Sequence, residues 1–164
     1  MLNEALAREL TDLTDEDLRL QPGALGDDPA AQLAHRRVTV RNADRLTVIL
    51  DEHGWPTPAL VGPEGARRAW LIAQHADRQL DVQRRALALM TAAGADPTQV
   101  AMLHDRVRVN EGHPQTYGTQ IAGVADGAPA PWPCDDPAGM EQRRAAVGLA
   151  PYAEYVARHA PPAL

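Results

Sequence analysis

Four short stretches of the sequence carry polar residues of the kinds that move protons or hold polar ligands. The first is Gln74-His75-Ala76-Asp77, with Gln83 beyond it. Each helical residue turns by about 100°. With Trp70 at the centre of an apolar face, Gln74 and Asp77 flank that centre and His75 shares a side with Leu71. Gln83 falls on the stripe of Leu80, Leu87 and Met90. A helix patterned only for a core would be apolar at Asp77 and Gln83. A buried carboxylate or amide is costly unless it is hydrogen-bonded. Imidazole is the general acid or base of choice near neutral pH, and a nearby carboxylate orients it. The second stretch is Asp105-Arg106, with Arg106 aligned with Met102 and Val109. The third, Gln115-Thr116-Tyr117-Gly118-Thr119-Gln120, gathers neutral donors and acceptors around one glycine, as a loop that grips a small polar ligand does. The fourth is Arg143-Arg144, whose guanidinium groups suit bidentate contacts to carboxylate or phosphate.

These residues predict a small cytoplasmic enzyme acting by acid/base chemistry on a small polar metabolite, through hydrolysis, elimination or isomerisation. His75 is the acid or base, with Asp77 or Asp105 orienting it. Gln74, Gln83, Arg106, Gln115, Tyr117, Thr119, Gln120 and Arg144 are the substrate-binding candidates. The alternative is a non-catalytic module that binds a small ligand or a peptide through the same groups. A structural reading stands beside both: Gln74, Asp77 and Gln83 would tie neighbouring helices, the glycine loop would turn into a hairpin, and Arg143-Arg144 would be solvated.

Taken in order, Gly54-Trp55-Pro56, Gln74-His75-Ala76-Asp77, Gln83, Asp105-Arg106, Gln115-x-Tyr117-Gly118-Thr119-Gln120, Arg143-Arg144, Pro151 and Tyr155 resemble a largely bacterial domain-of-unknown-function family. The resemblance runs from about Leu46 to Tyr155. It implies a compact helical domain with the QHAD, DR and QxYGTQ elements as its signature, and it implies no activity. The expected organisation is one domain over 1–164, with a motif-bearing core at 46–155 and N-terminal helices at 1–45 outside the clearest resemblance.

Composition removes several function classes. A formal charge of −6 argues against nucleic-acid binding. The chain has no Lys, so neither a Schiff base nor a P-loop lysine is available. It has no Ser, which excludes a Ser-His-Asp triad. The single cysteine, Cys134, allows no internal disulfide and stands beside Asp135-Asp136, a poor setting for a nucleophilic thiolate. Six His are present without an HExxH or Glu-x-x-His spacing, and one residue between His75 and Asp77 suits two ligands poorly. His104 and His113 are further possible donors, but nothing in the sequence brings them together. Neither a metal nor another cofactor is therefore expected. The N-terminal residues Met1-Leu2-Asn3-Glu4-Ala5 lack a basic n-region, and no apolar run approaches the roughly 18 residues of a membrane span. The expected location is the cytoplasm and the expected partner a small polar molecule.

The elements that must position these residues read as helices. The fold class is mainly α, a compact bundle of about six helices with one small β-hairpin near residues 117–133. Leu2, Leu6 and Leu10 mark a short first helix, and Thr14 followed by Asp15-Glu16-Asp17 reads as a new helix start. Gln21-Pro22-Gly23 reads as its stop. A long helix follows from Pro29 to about His53, capped by Asp28, ended by Gly54 and facing inward through Leu33, Val40, Leu46 and Leu50. Further helices are expected from Pro63 to about Ala76 with Trp70 inward, from Arg78 to Ala93, and from Pro97 to near Gly112. Thr119–Val124 and Ala128–Trp132 flank an Asp126-Gly127 hairpin turn. Pro137–Val147 and Pro151–His159 close the chain. Val38–Val40 and Val107–Val109 are the alternative strand signals of a mixed α+β fold.

Overall fold

Helix α1 begins where Asn3 caps it, its Oδ1 accepting the Leu6 N–H at 3.0 Å. In the computed structural model, which describes residues 2–158, α1 spans Glu4–Ala24 without interruption. The predicted restart at Thr14 is therefore absent. Thr14 is buried, its hydroxyl donates to the Leu10 carbonyl at 2.9 Å, and Arg68 donates to its Oγ1. A threonine satisfied one turn back inside a helix has no need to cap one. Pro22 lies within the last turn rather than beyond it.

The chain divides into two compact units, Met1–Ala93 and Gly94–Leu164. The first contains α1, α2 (Pro29–His53), α3 (Pro58–His75) and α4 (Leu80–Ala92). Asp28 caps α2 by accepting from the Ala30 N–H, Pro29 fills its first turn, and Gly54 ends it at φ 67. Val38 and Val40 lie inside α2, so the strand signal there yields to the helix. Helices α1, α2 and α3 pack on one another, and α4 packs on α2 and α3. Leu10, Leu46, Ile49, Ile72 and Met90 are fully buried among them. Leu33 is exposed, and the inward stripe of α2 runs through Val38, Asn42, Leu46, Ile49 and Leu50. The amide of Asn42 donates to the Leu13 carbonyl at 2.8 Å, and Arg45 grips Glu9 with two nitrogens, tying α2 to α1. Helix α3 starts earlier than predicted and breaks at Gly62, just before Pro63.

The second unit starts with α5 (Pro97–Asn110), capped by Asp96, which accepts from Thr98 and Gln99. Val107 and Val109 are helical here. Strands β1 (Ile121–Ala125) and β2 (Ala128–Pro131) pair antiparallel, with Ala125 opposite Ala128. The turn residues Asp126 and Gly127 both have positive φ, 52 and 77, as a two-residue turn matched to strand twist requires. A 3₁₀ turn at Pro137–Gly139 leads into α6 (Met140–Ala146), and α7 spans Tyr152–Ala157. The predicted end at His159 lies outside the described residues. The structure is thus the mainly helical fold with a small hairpin that the sequence predicts, with seven α-helices among the described residues. No described helix is long and apolar enough to cross a membrane.

Candidate functional site

In the first unit, the residue that engages His75 is Asp17 of α1. Asp17 Oδ2 lies 2.5 Å from His75 Nδ1, and Asp17 Oδ1 lies 2.7 Å from His35 Nε2. One carboxylate therefore joins two imidazoles, drawn from three helices. The Asp17 side chain is 1% exposed, whereas those of His35 and His75 are 20% and 17% exposed. The two rings meet edge to face with centroids 6.4 Å apart. Burial pushes the Asp17 carboxyl upward, but the hydrogen bonds and charges of His75 and then His35 outweigh it, and the net shift is downward. Asp17 thus stays ionised and can only accept. Each imidazole must direct an N–H at it, which leaves His75 Nε2 and His35 Nδ1 as the lone-pair nitrogens of the neutral rings.

Asp17 and His35 were not among the residues singled out in the sequence. Their signal was present all the same. On a continuous α1 the buried stripe is Leu6, Leu10, Thr14 and Asp17, so a carboxylate ends an inward face. His35 extends the buried stripe of α2 by one turn beyond Val38.

The remaining predicted residues of this unit surround the end of α3. The helix stops at His75, and Asp77 follows it on an exposed turn. The projection that placed Asp77 near an apolar face centred on Trp70 therefore fails twice. Asp77 is past the last helical residue, and Trp70 is only half-buried. The inward face runs through Ala66, Ala69, Ile72 and Ala73. Gln83 is fully buried, as its place on an apolar stripe implies, and its amide donates to the carbonyls of Ala73 (3.1 Å) and Gln74 (3.4 Å) and to Asp77 Oδ1 (3.3 Å). It closes the C-terminus of α3, where carbonyls lack helical partners. Gln74 Oε1 is buried and accepts no hydrogen bond from a described residue. A shallow groove of about 280 Å³ lies elsewhere on the unit, between α1 and α3, lined by Ala7, Arg8, Thr11, Asp12, Val61, Glu64 and Gly65.

In the second unit the predicted residues form one network. Asp105 is fully buried in α5 and accepts from the N–H groups of Thr116 (2.7 Å), Tyr117 (3.1 Å) and Thr119 (3.0 Å) and from the Thr119 hydroxyl (2.9 Å). Burial pushes its carboxyl up. The His104 imidazole beside it and these N–H donors pull it down further. His104 Nδ1 stands 3.6 Å from Asp105 Oδ1, too far for a hydrogen bond. Gln115 is fully buried, donates to the carbonyls of Gln120 and Trp132, and accepts the Gln120 N–H at 2.8 Å. Gln120 accepts from Arg106 at 3.0 Å and donates to Met102 O. Arg144, also fully buried, donates to Tyr117 O and twice to Ala150 O, with its guanidinium over the rings of Tyr152 and Tyr155. The Tyr155 hydroxyl donates to Thr119 O at 2.6 Å. Arg143 donates to Thr116 O and to the Asp135–Asp136 segment. The loop at 115–120 is thereby held from α5, α6 and α7.

The model of the DUF6624 family, described as a family of unknown function, matches residues 4–160. The chain belongs to that family. The match takes in α1 and α2, so the first forty residues, left outside the resemblance drawn from the motifs, are part of the family domain and carry Asp17 and His35. No curated protein and no solved structure matches the chain.

Proposed function

We propose that this member of the DUF6624 family is a small cytoplasmic enzyme that moves protons on a small polar metabolite, by hydrolysis, elimination or isomerisation, at the centre formed by Asp17, His35 and His75. The observation that carries the reading is a buried carboxylate shared by two histidines that both remain open to solvent. A structural ion pair needs neither a second imidazole nor access. Proton transfer needs a fixed tautomer, a stabiliser for the imidazolium and a ring nitrogen within reach of substrate. Asp17 supplies the first two for His75 through Nδ1. His75 Nε2 then takes a proton from the substrate or from water, and the imidazolium that forms lies against the Asp17 charge.

Asp17 fills the orienting role that the sequence offered to Asp77 or Asp105. The reading keeps GWP, QHAD, DR and QxYGTQ as the signature of a largely bacterial family. Asp105, Gln115, Thr119, Gln120 and Arg144 are read as the frame of the 115–120 loop of the second unit, and Arg106 of α5 as bonded to that frame through Gln120.

The experiment is a thermal-shift screen of the purified chain against polar metabolites, followed by turnover assays on each stabilising compound. His75→Asn should lower turnover by about 10²–10⁴-fold and leave the fold intact. A ligand that binds wild type and His75→Asn equally, with no turnover by either, would make the protein a binding module and end the enzymatic reading.

A further inference from the structure

The three side chains of the Asp17 centre also have the composition of a cation site. Asp17, His35 and His75 each offer a ligand atom, and these atoms lie within 4.8 Å of one another. Two imidazoles and one carboxylate form a donor set for divalent first-row metals, and three protein ligands leave coordination positions for water or substrate. Each ligand comes from a different helix, α1, α2 and α3, so the packing of the bundle fixes their mutual placement. The carboxylate is buried, while both rings reach solvent, which gives an ion a path in.

We infer that Asp17, His35 and His75 bind a divalent transition metal, with zinc as the best-suited ion, through an Asp17 carboxylate oxygen, His35 Nε2 and His75 Nδ1. The change needed is small. Metal–ligand bonds of about 2.0–2.2 Å set two ligands of a tetrahedral ion about 3.4 Å apart. The 2.5 Å between His75 Nδ1 and Oδ2 and the 2.7 Å between His35 Nε2 and Oδ1 must therefore open by less than about 1 Å, and ligand atoms up to 4.8 Å apart must close toward about 3.4 Å. An imidazole in its neutral form need lose no proton in the exchange. The hydrogen on His75 Nδ1 is carried instead by Nε2, and that on His35 Nε2 by Nδ1, which frees the two nitrogens facing Asp17 as donors to the ion. One carboxylate against a doubly charged ion leaves a net positive centre, and ion-bound water becomes the group that gives up a proton near neutral pH. The inference rests on the same centre as the proposed function but not on turnover; with an ion on Nδ1, His75 Nε2 carries hydrogen, so the proton acceptor would be the ion-bound hydroxide rather than His75.

The test uses the full chain, stripped with a chelator and titrated with zinc alone in a calorimeter, and with cobalt while visible absorption is followed. Expected is one equivalent of zinc bound and a rise in Tm. Affinity should fall at least about 100-fold in His35→Ala and in Asp17→Asn, beyond the loss typical of removing an outer partner. His113→Ala should bind as wild type does. Circular dichroism checks that each variant is folded. Should His35→Ala fail to fold, proton NMR of the cobalt-loaded wild type decides, with paramagnetically shifted resonances from two imidazoles expected. Absence of binding to wild type, affinity unchanged in folded His35→Ala, or shifted resonances from fewer than two imidazoles would overturn the inference. Zinc binding without turnover on any substrate would instead sink the enzymatic reading and leave the metal site standing. Turnover that persists after chelation, with no zinc bound, would do the reverse.

Discussion

Asp105→Asn is the sharpest probe of the second unit, because it keeps the shape of the side chain while exchanging one acceptor and the charge for an NH₂ donor. Oδ1 accepts from Thr116 N–H at 2.7 Å and from Tyr117 N–H at 3.1 Å. Oδ2 accepts from Tyr117 N–H at 3.1 Å, Thr119 N–H at 3.0 Å and the Thr119 hydroxyl at 2.9 Å. An asparagine replaces one of these oxygens with an NH₂ group that can only donate. Turned one way, it faces the Thr116 N–H; turned the other, the Thr119 N–H. A buried donor left unpaired costs about 1–3 kcal/mol, and losing the charge on the remaining oxygen weakens the bonds that survive by about 1 kcal/mol. The expected destabilisation is about 2–4 kcal/mol. Urea unfolding reads the energy, and hydrogen exchange at the Thr116, Tyr117 and Thr119 amides reads the place. The pH dependence supplies a second test with a definite sign. The folded carboxyl of Asp105 lies below its unfolded value, because the His104 imidazole and the N–H donors outweigh burial. Its contribution is therefore complete above the unfolded carboxylate range and is lost as pH falls through the folded value. Below about pH 4 the wild type should lose stability more steeply than Asp105→Asn. A variant within about 0.5 kcal/mol of wild type, with amide protection unchanged, would refute the claim that Asp105 holds this loop.

His75→Asn should lower turnover by about 10²–10⁴-fold with little change in Tm, since the ring nitrogen lost from Asp17 is partly replaced by an amide N–H; a steady-state assay beside a melting curve checks it. Gln83→Leu should cost about 1–3 kcal/mol in thermal unfolding, because the carbonyls of Ala73 and Gln74 lose their donor inside the core. Gly118→Ala should be worse than its size suggests, at about 2–4 kcal/mol. Its φ of 69 disfavours any Cβ, and that Cβ would stand 2.7 Å from Met140 Sδ and 2.9 Å from a Tyr152 ring carbon. Chemical unfolding measures the loss, and Gly118→Asn, which tolerates the backbone but adds more bulk, should not relieve it.

The parts of the fold legible in the sequence are those decided by local chemistry. Asp28-Pro29 at one end and Gly54 at the other fix α2 without reference to anything distant, and Asp96-Pro97 does the same for the start of α5. Asp126-Gly127 fixes the hairpin because both residues adopt a backbone that few others tolerate. The misreadings occur where one signal has two local solutions. A threonine ahead of three acidic residues matches a helix cap, yet the same hydroxyl can bond the carbonyl one turn back. The buried setting and Arg68, far along the chain, accompany the second outcome at Thr14. Pro22 likewise reads as a stop, but α1 carries two more residues past it.

That single misreading is what hid the carboxylate partner of His75. With α1 cut at Thr14, Asp17 belongs to the first turn of a new helix, where an acidic residue needs no further explanation. With α1 whole, it is a charge on the stripe of Leu6, Leu10 and Thr14, and the reasoning that picked out Gln83 applies to it equally. Even then, its bonds to His35 and His75 span 18 and 58 residues, and no periodicity along one helix states which helix lies opposite. The second unit shows the complementary difficulty. A loop rich in N–H groups around a glycine has the composition of a cradle for an anion, and sequence does not say whose anion fills it. In the structure the N–H groups of Thr116, Tyr117 and Thr119 close on a carboxylate, and it is the protein's own Asp105.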